Sequence, residues 1–208
     1  HAAPDHAAGF CVFNDCGIAV HALRRRYDVR RVAYVDIDAH HGDGIFYEFA
    51  SDPLLFFADI HEDGSFLYPG TGSVDETGLG EAKGTKLNIP LLPKAGDREF
   101  FDAFEKVQVF IDSTEPELIF LNCGADSLSG DPITDLCYSA QAHGHAVRGD
   151  RARHVDQDRI AARGPARRNW IGGVCAPHAA VRRHCRIVRV GADQQDRQAP
   201  VRRGYIDV

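Results

Sequence analysis

The apolar run Val32-Ala33-Tyr34-Val35 passes without a break into Asp36-Ile37-Asp38-Ala39-His40-His41-Gly42-Asp43-Gly44, and no other stretch constrains the fold as much. The apolar residues predict a strand over Val32–Asp38. Side chains alternate along an extended segment, which would put Asp36, Asp38 and His40 on one face. Carboxylate oxygen and imidazole nitrogen, with little sulfur nearby, suit a hard-to-borderline divalent cation such as zinc or iron(II). Glycines at 42 and 44 let the chain turn tightly past such a site.

Around this segment the text alternates as α/β proteins do. A helix is expected over about Ala19–Tyr27 and another over Arg98–Ser113, with further strands at Leu54–Ile60, Lys86–Pro90 and Leu118–Cys123. Strands separated by helices require crossovers, and hence a mainly parallel sheet flanked by helices. Ligands of such sheets gather beyond the carboxyl ends of the strands, where Asp38, His40, His61 and Asp126 would all emerge. Asp126 ends the run Leu118-Ile119-Phe120-Leu121-Asn122-Cys123-Gly124-Ala125, so it would complete an Asp/His/Asp metal set that leaves coordination positions open for water and substrate.

At this point the chain resembles a known family. Gly9-Phe10-Cys11-x-Phe13-Asn14-Asp15, Asp36-x-Asp38-x-His40-His41-Gly42-Asp43-Gly44, Tyr68-Pro69-Gly70-Thr71-Gly72 and Gly124-Ala125-Asp126-x-x-x-Gly130-Asp131-Pro132 look like the motifs of the zinc-dependent histone deacetylases, a group with bacterial acetoin-utilisation and acetylpolyamine deacetylase relatives. The likeness runs in order from His1 to about Ala142. It implies an arginase/deacetylase-like α/β fold, here incomplete, and a metal-dependent amidohydrolase acting on acetyl-lysine or small acetylated amines. It places Asp38, His40 and Asp126 on the metal ligands. His1 falls on the general base and Asp43 on the acid that holds its other ring nitrogen. Asp36 becomes an acid whose expected histidine partner would precede His1, and Gly9, Phe10 and Tyr68 line the tunnel for the acyl-lysine stem. The family's oxyanion tyrosine follows a glycine-rich run. The nearest piece here, Ile171-Gly172-Gly173-Val174, has no tyrosine close behind it, and Tyr205 lacks the surrounding motif.

Composition locates a break. Every phenylalanine lies at or before Phe120 and every lysine at or before Lys106, whereas arginine after position 147 supplies more than half of the 24 Lys plus Arg. We therefore expect a partial catalytic domain over 1–142 and an Arg/Ala-rich tail over 143–208, weakly structured or produced by a change of reading frame. His143-Gly144-His145 falls in that tail and, with the later arginines, reads as a solvated face or a disordered tail rather than a metal or nucleic-acid site. A chain that begins at His1 and contains no methionine reads as a fragment.

Other function classes are disfavoured. A net charge of −6 argues against direct nucleic-acid binding. No apolar run approaches the roughly 20 residues that cross a bilayer, and no signal peptide is visible. Six cysteines without a Cys-x-x-Cys pair suggest neither a disulfide framework nor sulfur-bound zinc, and a reducing cytoplasm fits best. An arginase-like ureohydrolase with two manganese ions is a rival, but it wants an acid where Gly42 stands. A second rival is a remnant that binds metal and ligand without turnover. His41 and His61 read as structural, and Arg24-Arg25-Arg26 as cations closing a helix. Without the family likeness, Phe10 and Tyr68 would read as ordinary core aromatics.

Overall fold

The structure is a computed structural model that describes residues 1–148, 169–173 and 185–186. Its centre is β1 (Val32–Asp36), whose five residues are all buried. It lies parallel to β2 (Leu55–Glu62) on one side, and β3 (Lys86–Leu91) continues the sheet beyond β2. On its other side β1 pairs in parallel with β4 (Leu118–Asn122), followed by β5 (Asn169–Gly173) and the short antiparallel β6 (Cys185–Arg186). The order is β3-β2-β1-β4-β5-β6. The chain thus runs outward from β1 through β2 to β3, then crosses back to start the other half at β4. That reversal leaves a crevice at the carboxyl ends of β1 and β4, the usual ligand position in an open parallel sheet.

Alternation along the strands sends residues to two cores. Val32, Tyr34, Leu55, Phe57, Leu118 and Phe120 face α1 (Asp15–Tyr27) and α2 (Asp43–Glu48), packing on Val20, Ile45, Phe46 and Phe49. Ala33, Val35, Phe56, Ala58, Ile119 and Leu121 face the opposite way. They pack on Phe100, Ala103, Phe104 and Val107 of α3 (Asp97–Thr114) and on Ala142 and Ala146 of α4 (Ala140–Arg148). The result is a sheet between two helical layers, each fully buried aliphatic or aromatic side chain contributing about 1.5–3 kcal/mol of transfer free energy.

The elements depart from sequence expectation in instructive places. α1 starts four residues early because the Asn14 side chain accepts the Gly17 N–H and caps it. β1 stops at Asp36 rather than Asp38. The Ile37 N–H still donates to the Asn122 carbonyl at 3.0 Å, and the chain then leaves the sheet. α2 is too short to show a helical period. α4 carries the packed structure across residue 142, with Ala142 and Ala146 fully buried, so the expected boundary there falls inside an element. His143 and His145, expected to be solvated, are both half-buried, and the His145 ring stands against Phe101 and Phe104 at 5.1 and 5.4 Å. Most of the remaining Arg-rich tail, with Tyr205 and the expected change of frame, lies outside the described residues. Among the described residues no helix is long and apolar enough to cross a membrane.

Candidate metal centre and active site

The crevice is lined from both of its strands. Asp36 and Asn122 sit side by side in register at the ends of β1 and β4, and the Asn122 Nδ2 donates to Asp36 Oδ1 at 2.8 Å. Past that pair the β1 extension delivers Asp38 and His40, while a 3-10 turn over Ala125–Ser127 delivers Asp126. His40 Nδ1 lies 2.7 Å from Asp126 Oδ2 and 3.2 Å from Asp38 Oδ1. One ligand atom from each of the three residues falls within 4.8 Å of the other two, and among the described residues this is the one such cluster. Gly124 makes the approach feasible: a Cβ there would stand 1.9 Å from Asp38 Oδ2.

Electrostatics give the cluster the character of a cation site. Burial pushes the Asp38 carboxyl up to about 6, with the Asp126 charge adding to it and the His40 hydrogen bond opposing. Burial works against a charged His40, yet its hydrogen bonds to Asp126 and Asp38 outweigh it and raise the imidazole to about 10. For Asp126 burial pushes upward, but the bonds from His40 and from the Ala39 N–H at 3.0 Å hold the carboxyl below its ordinary value. Positive charge is therefore held by a single proton between a buried acid, Asp126, and a half-buried one, Asp38. An oxygen/nitrogen donor set of this kind, free of sulfur, fits a borderline divalent ion.

Asp36 does not join the cluster. Its Oδ1 accepts the Asp38 N–H at 3.0 Å as well as Asn122, so it braces the turn from which Asp38 projects. Burial, followed by the nearby Asp59 and Asp38 charges, raises it well above the carboxylate range. The sequence leaves Asp36 without a partner; folding supplies Asn122.

Beside the triad, His1 Nδ1 is 2.6 Å from Asp43 Oδ1, and the His1 ring stands edge-on to His40 with centroids 5.7 Å apart. Asp43 is the first residue of α2, and its carboxylate also accepts the Gly44 N–H at 2.9 Å. Gly9 lies against the other side of the His1 ring. Its φ of +52° suits glycine, and a Cβ there would fall 2.2 Å from the ring. Phe10, also at positive φ, is 86% exposed and Tyr68 is 50% exposed, so neither is a core aromatic. The Tyr68 ring meets His1 at 5.2 Å and His40 at 6.5 Å. Beneath these groups a cavity of about 80 Å³ is lined by His1, Asp36, Asp38 and His40 together with Cys11 and Cys16.

His61 does not converge with the ligands. It is fully buried to one side, bonded to Asp59 Oδ1 at 2.9 Å and to the Gly72 carbonyl at 3.1 Å. His41 bonds Thr71 Oγ1 at 2.8 Å. Both histidines hold the Tyr68–Gly72 loop, and Glu76 closes it by accepting the Gly72 and Ser73 N–H groups and the Tyr47 hydroxyl. Sequence reasoning missed Asn122, Asp59, Glu76, Ser127 and His143, single polar residues with no motif of their own.

A family profile, the histone deacetylase domain, matches residues 1–160. The chain belongs to the histone deacetylase family. It is 38% identical over 137 residues to the acetoin utilization protein AcuC of Bacillus subtilis (strain 168), covering 65% of this chain and 35% of that protein. Against histone deacetylase 8 of Xenopus tropicalis it is 34% identical over 149 residues, 71% of this chain and 40% of the relative. Among solved structures, an acetylpolyamine aminohydrolase from Burkholderia pseudomallei superposes with a TM-score of 0.67 at 33% identity, covering 70% of this chain and 42% of that one. A histone deacetylase homologue complexed with SAHA gives a TM-score of 0.69 at 33% identity, with coverage of 71% and 40%. The matched region is thus well under half the length of these relatives, and the family match continues past residue 142 into α4.

Proposed function

We propose that this chain carries the catalytic centre of a metal-dependent amidohydrolase that removes acetyl groups from acetyl-lysine or small acetylated amines. One observation carries the proposal above the others. A histidine braced by a carboxylate, His1 with Asp43, stands beside a compact Asp38/His40/Asp126 triad, which is the pairing of base and cation that amide hydrolysis needs. Zinc fits the donor set best and iron(II) is the alternative.

When bound, such an ion supplies Lewis-acid polarisation of the acetamide carbonyl and lowers the pKa of water. The protein's own groups do the rest. With Nδ1 held by Asp43, His1 has Nε2 left to take a proton from the attacking water and return one to the departing amine, so that acetate and free amine result. Asp36 keeps the Asp38 turn in place from beneath. Phe10, Gly9 and Tyr68 form the walls against which an alkyl-amine stem lies, and exposed aromatics at a site mouth suit a chain whose methylenes are apolar and whose far end is polar.

The two-manganese ureohydrolase reading loses ground, because Gly42 occupies the place of a bridging acid and the described residues hold one ligand cluster. A reducing cytoplasm is the compartment that the cysteine spacing suits. The test is to incubate the zinc-loaded chain with an acetyl-lysine fluorogenic peptide and with an acetylated diamine. Turnover that Asp126→Ala abolishes is the expected outcome; tight zinc binding with no turnover on either substrate would instead identify a binding remnant.

A further inference from the structure

Ser127 is fully buried and its hydroxyl meets three partners: the Ile37 carbonyl at 2.9 Å, the Gly124 carbonyl at 3.2 Å and His143 Nε2 at 2.8 Å. A hydroxyl owns one proton, and both carbonyls are acceptors only. That proton therefore goes to a carbonyl, and the third contact is favourable only when His143 donates from Nε2 to Ser127 Oγ. The shorter distance directs the serine proton to Ile37. Ile37 lies between Asp36 and Asp38, just past the end of β1, whereas Ser127 follows Asp126 after β4. One hydroxyl therefore ties together the two strand ends that carry the acidic ligands, and a histidine on α4 orients it. The clamp is anchored further by the Tyr138 N–H donating to the Ser127 carbonyl at 3.1 Å and by Thr134 bonding to the Asp126 carbonyl.

We infer that His143 is a positioning residue for the metal centre: its Nε2–H locks the Ser127 hydroxyl onto the Ile37 carbonyl and so fixes the separation of Asp38 from Asp126. This rests on the reading of Asp38, His40 and Asp126 as metal ligands. A group that orients a ligand-bearing segment commonly controls affinity by about 10–100-fold, and His143, acting through Ser127, belongs near the lower end. Neither residue belongs to the Asp38/His40/Asp126 cluster or lines the cavity beside it, so neither is catalytic.

The experiment compares the 208-residue chain with His143→Gln, whose amide N–H can take the place of Nε2–H, and His143→Phe, which keeps the ring volume without a donor. Zinc affinity is measured by competition with a chromophoric chelator, and imidazole ¹⁵N shifts report the tautomer without metal. We expect an Nε2–H tautomer at His143, about tenfold weaker zinc binding in His143→Phe, and binding within about threefold of wild type in His143→Gln. If His143→Phe does not fold, Ser127→Ala serves instead, with the same tenfold loss expected. An Nδ1–H tautomer, equal losses in the Gln and Phe variants, or unchanged affinity in His143→Phe or Ser127→Ala would overturn the inference while leaving the metal site standing. Wild-type chain that binds no zinc would overturn both.

Discussion

His40 is held between Asp38 and Asp126 and is raised to about 10, so in the metal-free protein it carries a proton throughout the neutral range. A metal ligand must give that proton up. Zinc binding at pH 7 to 8 should accordingly release about one proton per ion, read as buffer-dependent heats in isothermal titration, and apparent affinity should climb as pH rises toward about 10. Proton release that is nil across buffers would remove His40 from the ligand set. The neighbouring pair separates binding from chemistry. Asp43→Asn leaves the three ligand side chains in place but removes the carboxylate on His1 Nδ1. Turnover should fall by about 10²–10⁴-fold while zinc affinity changes by less than about threefold, and a parallel loss of affinity would mean that Asp43 serves the ion instead.

At the scale of elements, the loop carrying Tyr68 is held by contacts distant in sequence. Glu76 ties the Gly72 and Ser73 amides to Tyr47 on α2, while His41 and His61 hold Thr71 and Gly72. Glu76→Ala should cost about 1–2 kcal/mol of stability in urea melts and, on the proposed function, raise KM for an acetyl-lysine peptide more than it lowers kcat, because it frees the loop that carries Tyr68 and leaves His1 and Asp43 in place. A fall in kcat alone would place the loop in the chemistry. α4 is the second such element. Ending the chain after residue 142 removes Ala146 from the core and the His145 ring from Phe101 and Phe104, so the shortened protein should melt at a lower temperature even without metal.

For the whole molecule, an ion pair at the junction of α1, α2 and β2 adds to the response to acid. Asp52, just after α2 and ahead of β2, is pushed up by burial but held below its ordinary value by Arg24 of α1 and by the Leu54 N–H. A lowered carboxylate contributes stability that is fully present above about pH 3.8 and is lost as pH falls through the folded value. Asp52→Asn should therefore destabilise the chain by about 1 kcal/mol at pH 7, and the gap to wild type should close in melts run progressively below pH 3.8. The parallel sheet was legible in the sequence, since β1, β2 and β4 are short apolar runs between helical segments. So were the ligand types, since Asp38 and His40 lie two residues apart and Asp126 follows a third such run. The bracing residues were not: Asn122, Glu76, Ser127 and His143 are unremarkable polar residues until folding brings them to a partner. α4 was hidden too, because its Ala142 and Ala146 look featureless without α3 to pack on. Local sequence thus determined which residues could bind a cation and which strands would carry them, because alternation and side-chain chemistry act over a few residues. Tertiary structure alone decided how closely Asp38, His40 and Asp126 approach, that Asp36 turns to Asn122 and that His61 bonds Asp59 and Gly72 instead. Those outcomes depend on the reversal of strand order between β1 and β4 and on hydrogen bonds between residues up to about ninety positions apart.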